Sequence, residues 1–196
     1  MARVLIPLAN GFEDVEAIAV VDVLRRGGVE VVTASIHDKR IVRSAHGIRM
    51  EADALFDDVK DESYDAIVLP GGGEGTENLK CSESVAERLR RQRDEGRLLC
   101  AICAAPTVLE HAGVLGEETE VTCYPTCRDG LNRPWASVPV VHDGTVITGQ
   151  APGSALLFAL VVLKTLAGER VARKVAQGLV TDVLDYVLFL GPGDFL

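Results

Sequence analysis

One cysteine, Cys103, stands where an apolar run bends into a helical stretch. Arg97-Leu98-Leu99-Cys100 leads in, Ala101-Ile102-Cys103-Ala104-Ala105 makes the bend, and Pro106-Thr107-Val108-Leu109-Glu110-His111 reads as helix. Strand, sharp turn and helix in that order build a nucleophile elbow. The bend lifts one side chain out of the sheet, and the helix start offers backbone N–H groups to it. The positive helix pole favours a thiolate there. The competing reading is a buried, inert cysteine, because free cysteine is among the most buried residue types.

Other residues could complete such a site. Gly71-Gly72-Gly73 follows a strand-like segment but has no Lys-Ser or Lys-Thr after it, so it is not a phosphate loop. Its bare backbone could approach the elbow and offer an N–H, which with the N–H of Ala104 would form an oxyanion hole. A turn that needs positive φ accounts for one or two of the same glycines. Glu13, Asp14 and Glu16 open the first helix, where acids usually complement the dipole on a solvated face. Glu16 lies among Val15, Ala17, Ile18 and Ala19. Facing inward, it would have a raised pKa and could serve as a general acid or base beside a thiol.

Cys100 with Cys103 and Cys123 with Cys127 form C-x2-C and C-x3-C pairs, the spacing of a zinc site. An extended chain separates Cys100 from Cys103 by about 10 Å, which argues against zinc and against a thioredoxin-like pair. No metal is expected, and Cys81 reads as an exposed bystander. Histidine is the usual base beside a catalytic cysteine. His37 and His142 read as solvated, whereas His46, in the Ser44-Ala45-His46-Gly47 turn, could reach a site across a subunit interface.

The elements that must position these residues alternate. Strand-like segments cover Arg3 to Leu8, Val29 to Ala34, Tyr64 to Leu69 and Leu98 to Ile102. Helical periodicity covers Val15 to Gly27, with Gly27-Gly28 as its stop, and Ser82 to Glu95. Residues 38–52 read as a turn plus short extended pieces. Val138 to Thr148 reads as a hairpin turning at Asp143-Gly144. Ser154 to Leu166 is an apolar helix, followed by a last helix to about Leu184 and an apolar tail from about residue 185. This alternation predicts one domain over residues 1–196, built on a mainly parallel sheet covered on both faces. Sites in such sheets form at the carboxyl ends of the strands, where residues 9–13, residues 70–75 and the elbow would meet.

Composition narrows the partners. The net charge is −9, and the Lys and Arg residues are scattered. Nucleic acid and anionic membrane surfaces are therefore disfavoured. The longest apolar run, Ala155 to Leu163, is too short to span a bilayer. With no signal peptide pattern and an odd number of cysteines, a cytoplasmic location is expected.

Taken together these residues resemble the PfpI/ThiJ superfamily, and within it the small branch of human parkinsonism-associated and bacterial YajL-type proteins. The likeness covers nearly the whole chain. It is carried by residues 9–16 (ANGFEDVE), 21–28 (VDVLRRGG), 64–72 (YDAIVLPGG), Asn78-Leu79, 101–107 (AICAAPT) and 150–154 (QAPGS). The resemblance implies a flavodoxin-like three-layer α/β sandwich, a homodimer, and no cofactor. It implies that Cys103 is a reactive, easily oxidised cysteine and that Glu16 is its protonated hydrogen-bond partner. Gly72 and Ala104 would be backbone donors, and Arg26 a basic residue near the dimer interface and the site.

Two positions depart from the family pattern. Tyr124 stands before Pro125 where the human-type branch has a histidine, which removes the general base and argues against protease activity. Cys123 is also unusual here, and if near Cys103 it would trap a sulfenic acid as a disulfide. The function implied is a cofactor-free glyoxalase III or deglycase acting on methylglyoxal, glyoxal or their early adducts. The alternative is a non-enzymatic oxidative-stress sensor or redox-regulated chaperone that uses the same cysteine.

Overall fold

The computed structural model describes residues 1–181. The predicted apolar tail, and the predicted end of the last helix near Leu184, lie outside the described residues. In chain order the elements are β1 (Arg3–Leu8), α1 (Asp14–Arg26), β2 (Glu30–Ser35), β3 (Ile41–Arg43), β4 (Arg49–Glu51), β5 (Ala54–Leu55), α2 (Phe56–Val59) and β6 (Ala66–Leu69). Then come α3 (Gly73–Lys80), α4 (Glu83–Asp94), β7 (Leu98–Ile102), α5 (Pro106–His111) and a 3-10 turn at Pro125–Gly130. The last are β8 (Val140–Asp143), β9 (Val146–Gly149), α6 (Ala155–Ala167) and α7 (Glu169–Gly178).

Seven strands form one sheet in the order β5-β2-β1-β6-β7-β9-β8. All neighbours are parallel except the β8–β9 hairpin, which turns at Gly144 with φ +56°. The strands are nearly all apolar because both faces are covered. Along β1, Val4, Ile6 and Leu8 enter the core beneath α1, α6 and α7, while Leu5 enters the core on the opposite face. On β7, Cys100 and Ile102 take the first face, and Leu99 and Ala101 take the second, against α4 and α5. This is the mainly parallel sheet, covered on both faces, that the alternating elements predict, and it is the flavodoxin-like three-layer sandwich that the family resemblance implies.

Two features go beyond the sequence reading. The short extended pieces of residues 38–52 pair with each other as antiparallel β3 and β4, in register Val42 to Met50. Residues 73–80 form a helix although they open on Gly-Glu-Gly. Glycine weakens helices, but α3 buries Thr76 and Leu79, and tertiary packing outweighs propensity. The chain steps from β1 to β2 on one side and returns to β6 on the other. That reversal opens a crevice at the carboxyl ends of β1 and β6, the place where ligands bind in this architecture.

Candidate active site

Three loops meet at this crevice. The β1–α1 loop is strapped to the β6–α3 loop by Glu13 N–H donating to the Gly71 carbonyl at 3.0 Å and Gly75 N–H donating to the Gly11 carbonyl at 3.2 Å. Such closeness requires bare backbone. A Cβ on Gly72, which has φ +92°, would lie 2.2 Å from the Gly11 oxygen. The elbow is held separately. Cys103 N–H donates to the Gly149 carbonyl at 2.9 Å, and Tyr124 N–H donates to the Cys103 carbonyl at 2.8 Å.

Cys103 adopts φ +64°, one of only two non-glycine residues in the left-handed region among the described residues. That conformation costs on the order of 1 kcal/mol or more for an L-residue and persists where the surroundings enforce it. The side chain projects from the carboxyl end of β7 and is almost wholly buried.

Glu16 comes to it from the first turn of α1. The carboxylate of Glu13, the N-cap residue, accepts from the Glu16 N–H at 2.8 Å and starts the helix. The Glu16 side chain is fully buried. Its Oε2 accepts from Gly71 N–H at 2.7 Å. Its Oε1 has no nitrogen or oxygen partner, and the carboxyl lies within hydrogen-bonding reach of the Cys103 thiol. Burial raises the Glu16 carboxyl to about 7, against the opposing pull of the Gly71 and Cys103 hydrogen bonds.

Cys103 is raised too. Burial first, then the neighbouring Glu16 carboxylate, push the thiol up to about 12, while the N–H groups of Gly72 and Ala104 pull it down. The helix pole that predicts a thiolate at rest is therefore outweighed. The thiol form of Cys103 is thus favoured by its burial and by the carboxyl beside it. Two amides face the sulfur, so negative charge arising there, or on an atom bonded to it, meets N–H donors.

The structure thus brings Cys103, Glu16, Gly72 and Ala104 together, with the Tyr124 backbone at the elbow. Arg26 is not with them. It ends α1 about 15 Å along the axis from Glu16 and pairs with Asp22 at 2.7 Å. Cys123 lies in the apolar cluster of the other sheet face, beside Cys127, Trp135 and Arg128. Cys100 is fully buried on β7 with its thiol pushed far up by desolvation. His37 is not simply solvated, since its Nε2 accepts from Asn10 N–H at 2.9 Å. His142 is half-buried, and desolvation lowers its pKa.

Residue types marked Gly71 and Glu13 but not their roles, which are an amide bound to the Glu16 carboxyl and the N-cap of α1. Three successive glycines signal a close approach without saying which amide meets which carboxylate. Glu13, Asp14 and His46 bring ligand-type atoms within 4.8 Å of one another. All three are engaged internally: Glu13 caps α1, and Asp14 accepts from the Ser44 hydroxyl and pairs with His46 Nδ1 at 2.7 Å. Burial works to raise Asp14, but Ser44 and His46 outweigh it and hold the carboxyl below its ordinary range.

Comparison with known proteins settles the lineage. The family model described as the DJ-1/PfpI family matches residues 2–165. The chain belongs to the DJ-1/PfpI family. It is 38% identical over 178 residues to Protein dj-1beta of Drosophila melanogaster, covering 89% of this chain and 95% of that protein. It is 37% identical over 170 residues to a Caenorhabditis elegans protein named glutathione-independent glyoxalase DJR-1.2, covering 85% and 89% of the two. It is 38% identical over 180 residues to Protein DJ-1 homolog B of Arabidopsis thaliana, but this alignment spans 91% of this chain and only 41% of that protein. Among solved structures, Toxoplasma gondii DJ-1, described as oxidized, superposes with a TM-score of 0.88 at 36% identity, covering 93% of this chain and all of that one. Drosophila DJ-1beta superposes at 0.89 with 36% identity, covering 92% and 98%. Among the described residues no helix is long and apolar enough to cross a membrane.

Proposed function

We propose that this DJ-1/PfpI protein is a cofactor-independent cysteine glyoxalase, acting in the cytoplasm on methylglyoxal, glyoxal or their early adducts. The observation that carries the reading is the buried Glu16 carboxyl, with Oε2 fixed by Gly71 and Oε1 unpartnered, against a thiol faced by two amides. Glu16 takes the Cys103 proton as sulfur attacks the aldehyde carbon. A C–S bond forms, the carbonyl π electrons move to oxygen, and the Gly72 and Ala104 N–H groups receive that charge. A hemithioacetal results. Glu16 then moves a proton from the former aldehyde carbon to the neighbouring carbonyl carbon while the hemithioacetal hydroxyl proton passes to the neighbouring carbonyl oxygen, which leaves a 2-hydroxy thioester on Cys103. Water cleaves the C–S bond, releases the hydroxy acid and restores the thiol. One acid-base group suffices, which suits a site with Tyr124 in place of histidine. The glyoxalase name of the nematode relative supports the class of substrate.

Turnover of methylglyoxal by Glu16→Gln tests this. The variant keeps an acceptor for Gly71 but cannot carry a proton, so turnover should vanish. Retained turnover would remove Glu16 from the mechanism.

The second reading, an oxidative-stress sensor or redox-regulated chaperone, rests on a specific observation. The same amides and carboxyl that stabilise an oxyanion would stabilise a sulfinate on Cys103. A homodimer is part of either reading. Val15 and Ile18 on α1 and Leu156 on α6 are large apolar side chains left about half-exposed, and Val15 and Leu156 line one shallow cavity with Pro152. A second copy would cover them.

A further inference from the structure

Two cysteines outside the proposed catalytic site converge on one carbonyl. The Cys123 thiol donates to the Tyr124 carbonyl oxygen at 3.3 Å, and the Cys127 backbone N–H donates to the Tyr124 carbonyl at 2.8 Å. The second bond closes a tight turn that folds Cys127 back toward the residues before it. Cys123 is fully buried and Cys127 is half-buried on the 3-10 turn, and both pack on the same apolar cluster.

The surroundings of Cys123 suit a sulfur that becomes charged. The indole N–H of Trp135 is buried with no nitrogen or oxygen partner and lies beside the Cys123 sulfur. The Arg128 guanidinium stacks over the Trp135 ring, 5.3 Å from its centroid. Burial raises the Cys123 thiol to about 11, and Trp135 and Arg128 pull against it. An N–H donor and a cation beside a sulfur ease formation of the attacking thiolate. Cys127 is close enough to act electrostatically on Cys123.

We propose that Cys123 and Cys127 are a redox pair, closing to a disulfide when a hydroperoxide oxidises the more exposed Cys127. The Cys127 thiolate attacks the peroxide, the O–O bond breaks, and Cys127 becomes a sulfenic acid as the other oxygen leaves as water or alcohol. The Cys123 thiolate then attacks the sulfenic sulfur. The S–S bond forms, and hydroxide departs and takes up the proton that Cys123 released. Two thiols lose two electrons and two protons, and the peroxide gains them. Closure leaves no acceptor orphaned, because the Tyr124 carbonyl loses the Cys123 donor but keeps the Cys127 N–H. The turn is tied to the elbow through the bond from Tyr124 N–H to the Cys103 carbonyl. This pair needs no turnover at Cys103, so it stands apart from the glyoxalase reading.

The test uses full-length Cys103→Ser protein, which removes the competing thiol. It is treated with hydrogen peroxide, alkylated in denaturant, and cleaved after Glu120 and Arg128. The peptide Val121–Arg128 carries both cysteines and no others. The expected result is loss of two hydrogens with no alkyl group added, reversed by dithiothreitol. In Cys103→Ser with Cys127→Ala, Cys123 should stay alkylatable after the same treatment. The proposal is overturned if both cysteines are alkylated at peroxide doses that oxidise exposed Cys81. It is also overturned if Cys127 advances to sulfinic acid while Cys123 stays free, or if Cys123 is lost without Cys127.

Discussion

Gly71 N–H holds Glu16 Oε2 at 2.7 Å, and the Cys103 Cβ packs against the face of Gly71 where a side chain would be. A Cβ on Gly71 would lie 2.8 Å from the Cys103 Cβ, 2.8 Å from Glu16 Oε2 and 2.9 Å from the Ile102 oxygen. One glycine thus sets the spacing between the Glu16 carboxyl and the Cys103 side chain. Gly71→Ala is expected to destabilise by about 1–3 kcal/mol through overpacking. It should also slow alkylation of Cys103, measured side by side with urea unfolding. Full stability with normal alkylation would show that the two groups do not depend on this contact.

The Glu16 titration links stability and activity in opposite directions. Its folded value of about 7 lies above the ordinary 4.5, so the native state holds a proton that the unfolded chain has released. Stability therefore falls as pH rises from about 4.5 to 7, by roughly 3 kcal/mol, and levels off above. Over the same range the carboxylate that accepts the Cys103 proton appears, so kcat/KM should rise. Glu16→Gln should lose both limbs and be the more stable protein at pH 8. Urea midpoints across pH for the two proteins decide this, and parallel curves would refute the shifted carboxyl.

Strain at the elbow has its own signature. Cys103 sits at φ +64°, so Cys103→Gly should be more stable than Cys103→Ala by about 1 kcal/mol. Equal unfolding midpoints would mean the elbow relaxes when the thiol is gone.

Association can be checked at α1. Val15 is about half-exposed and shares a cavity with Leu156. Val15→Asp should convert a dimer to monomer by sedimentation without lowering the far-UV helix signal, because the side chain is half-exposed on the solvent side of α1. A wild-type monomer would remove the second copy from the account.

Much of this was legible in the residues. The apolar strands, the Gly27 helix stop and the Asp143-Gly144 turn are local signals with local causes, and the sheet follows from their alternation. Residues 73–80 were not legible because α3 is held by burial of Thr76 and Leu79, which no propensity encodes. In the site, residue types pointed to Cys103 and Glu16, but the partner amide of Glu16 comes from Gly71, 55 positions away. The helix-pole argument weighs one influence on the Cys103 thiol, and the burial and nearby carboxylate that push the other way come from the tertiary fold, not from local residue types. Arg26 matched a family position, yet α1 carries it about 15 Å along the helix axis from Glu16.

The most direct measurement is D-lactate formation from methylglyoxal by purified protein, wild type beside Cys103→Ser. The account predicts turnover in the wild type and none in the variant. Equal turnover in both, or none in either, would contradict it, and the latter would leave oxidation of Cys103 as the chemistry of this site.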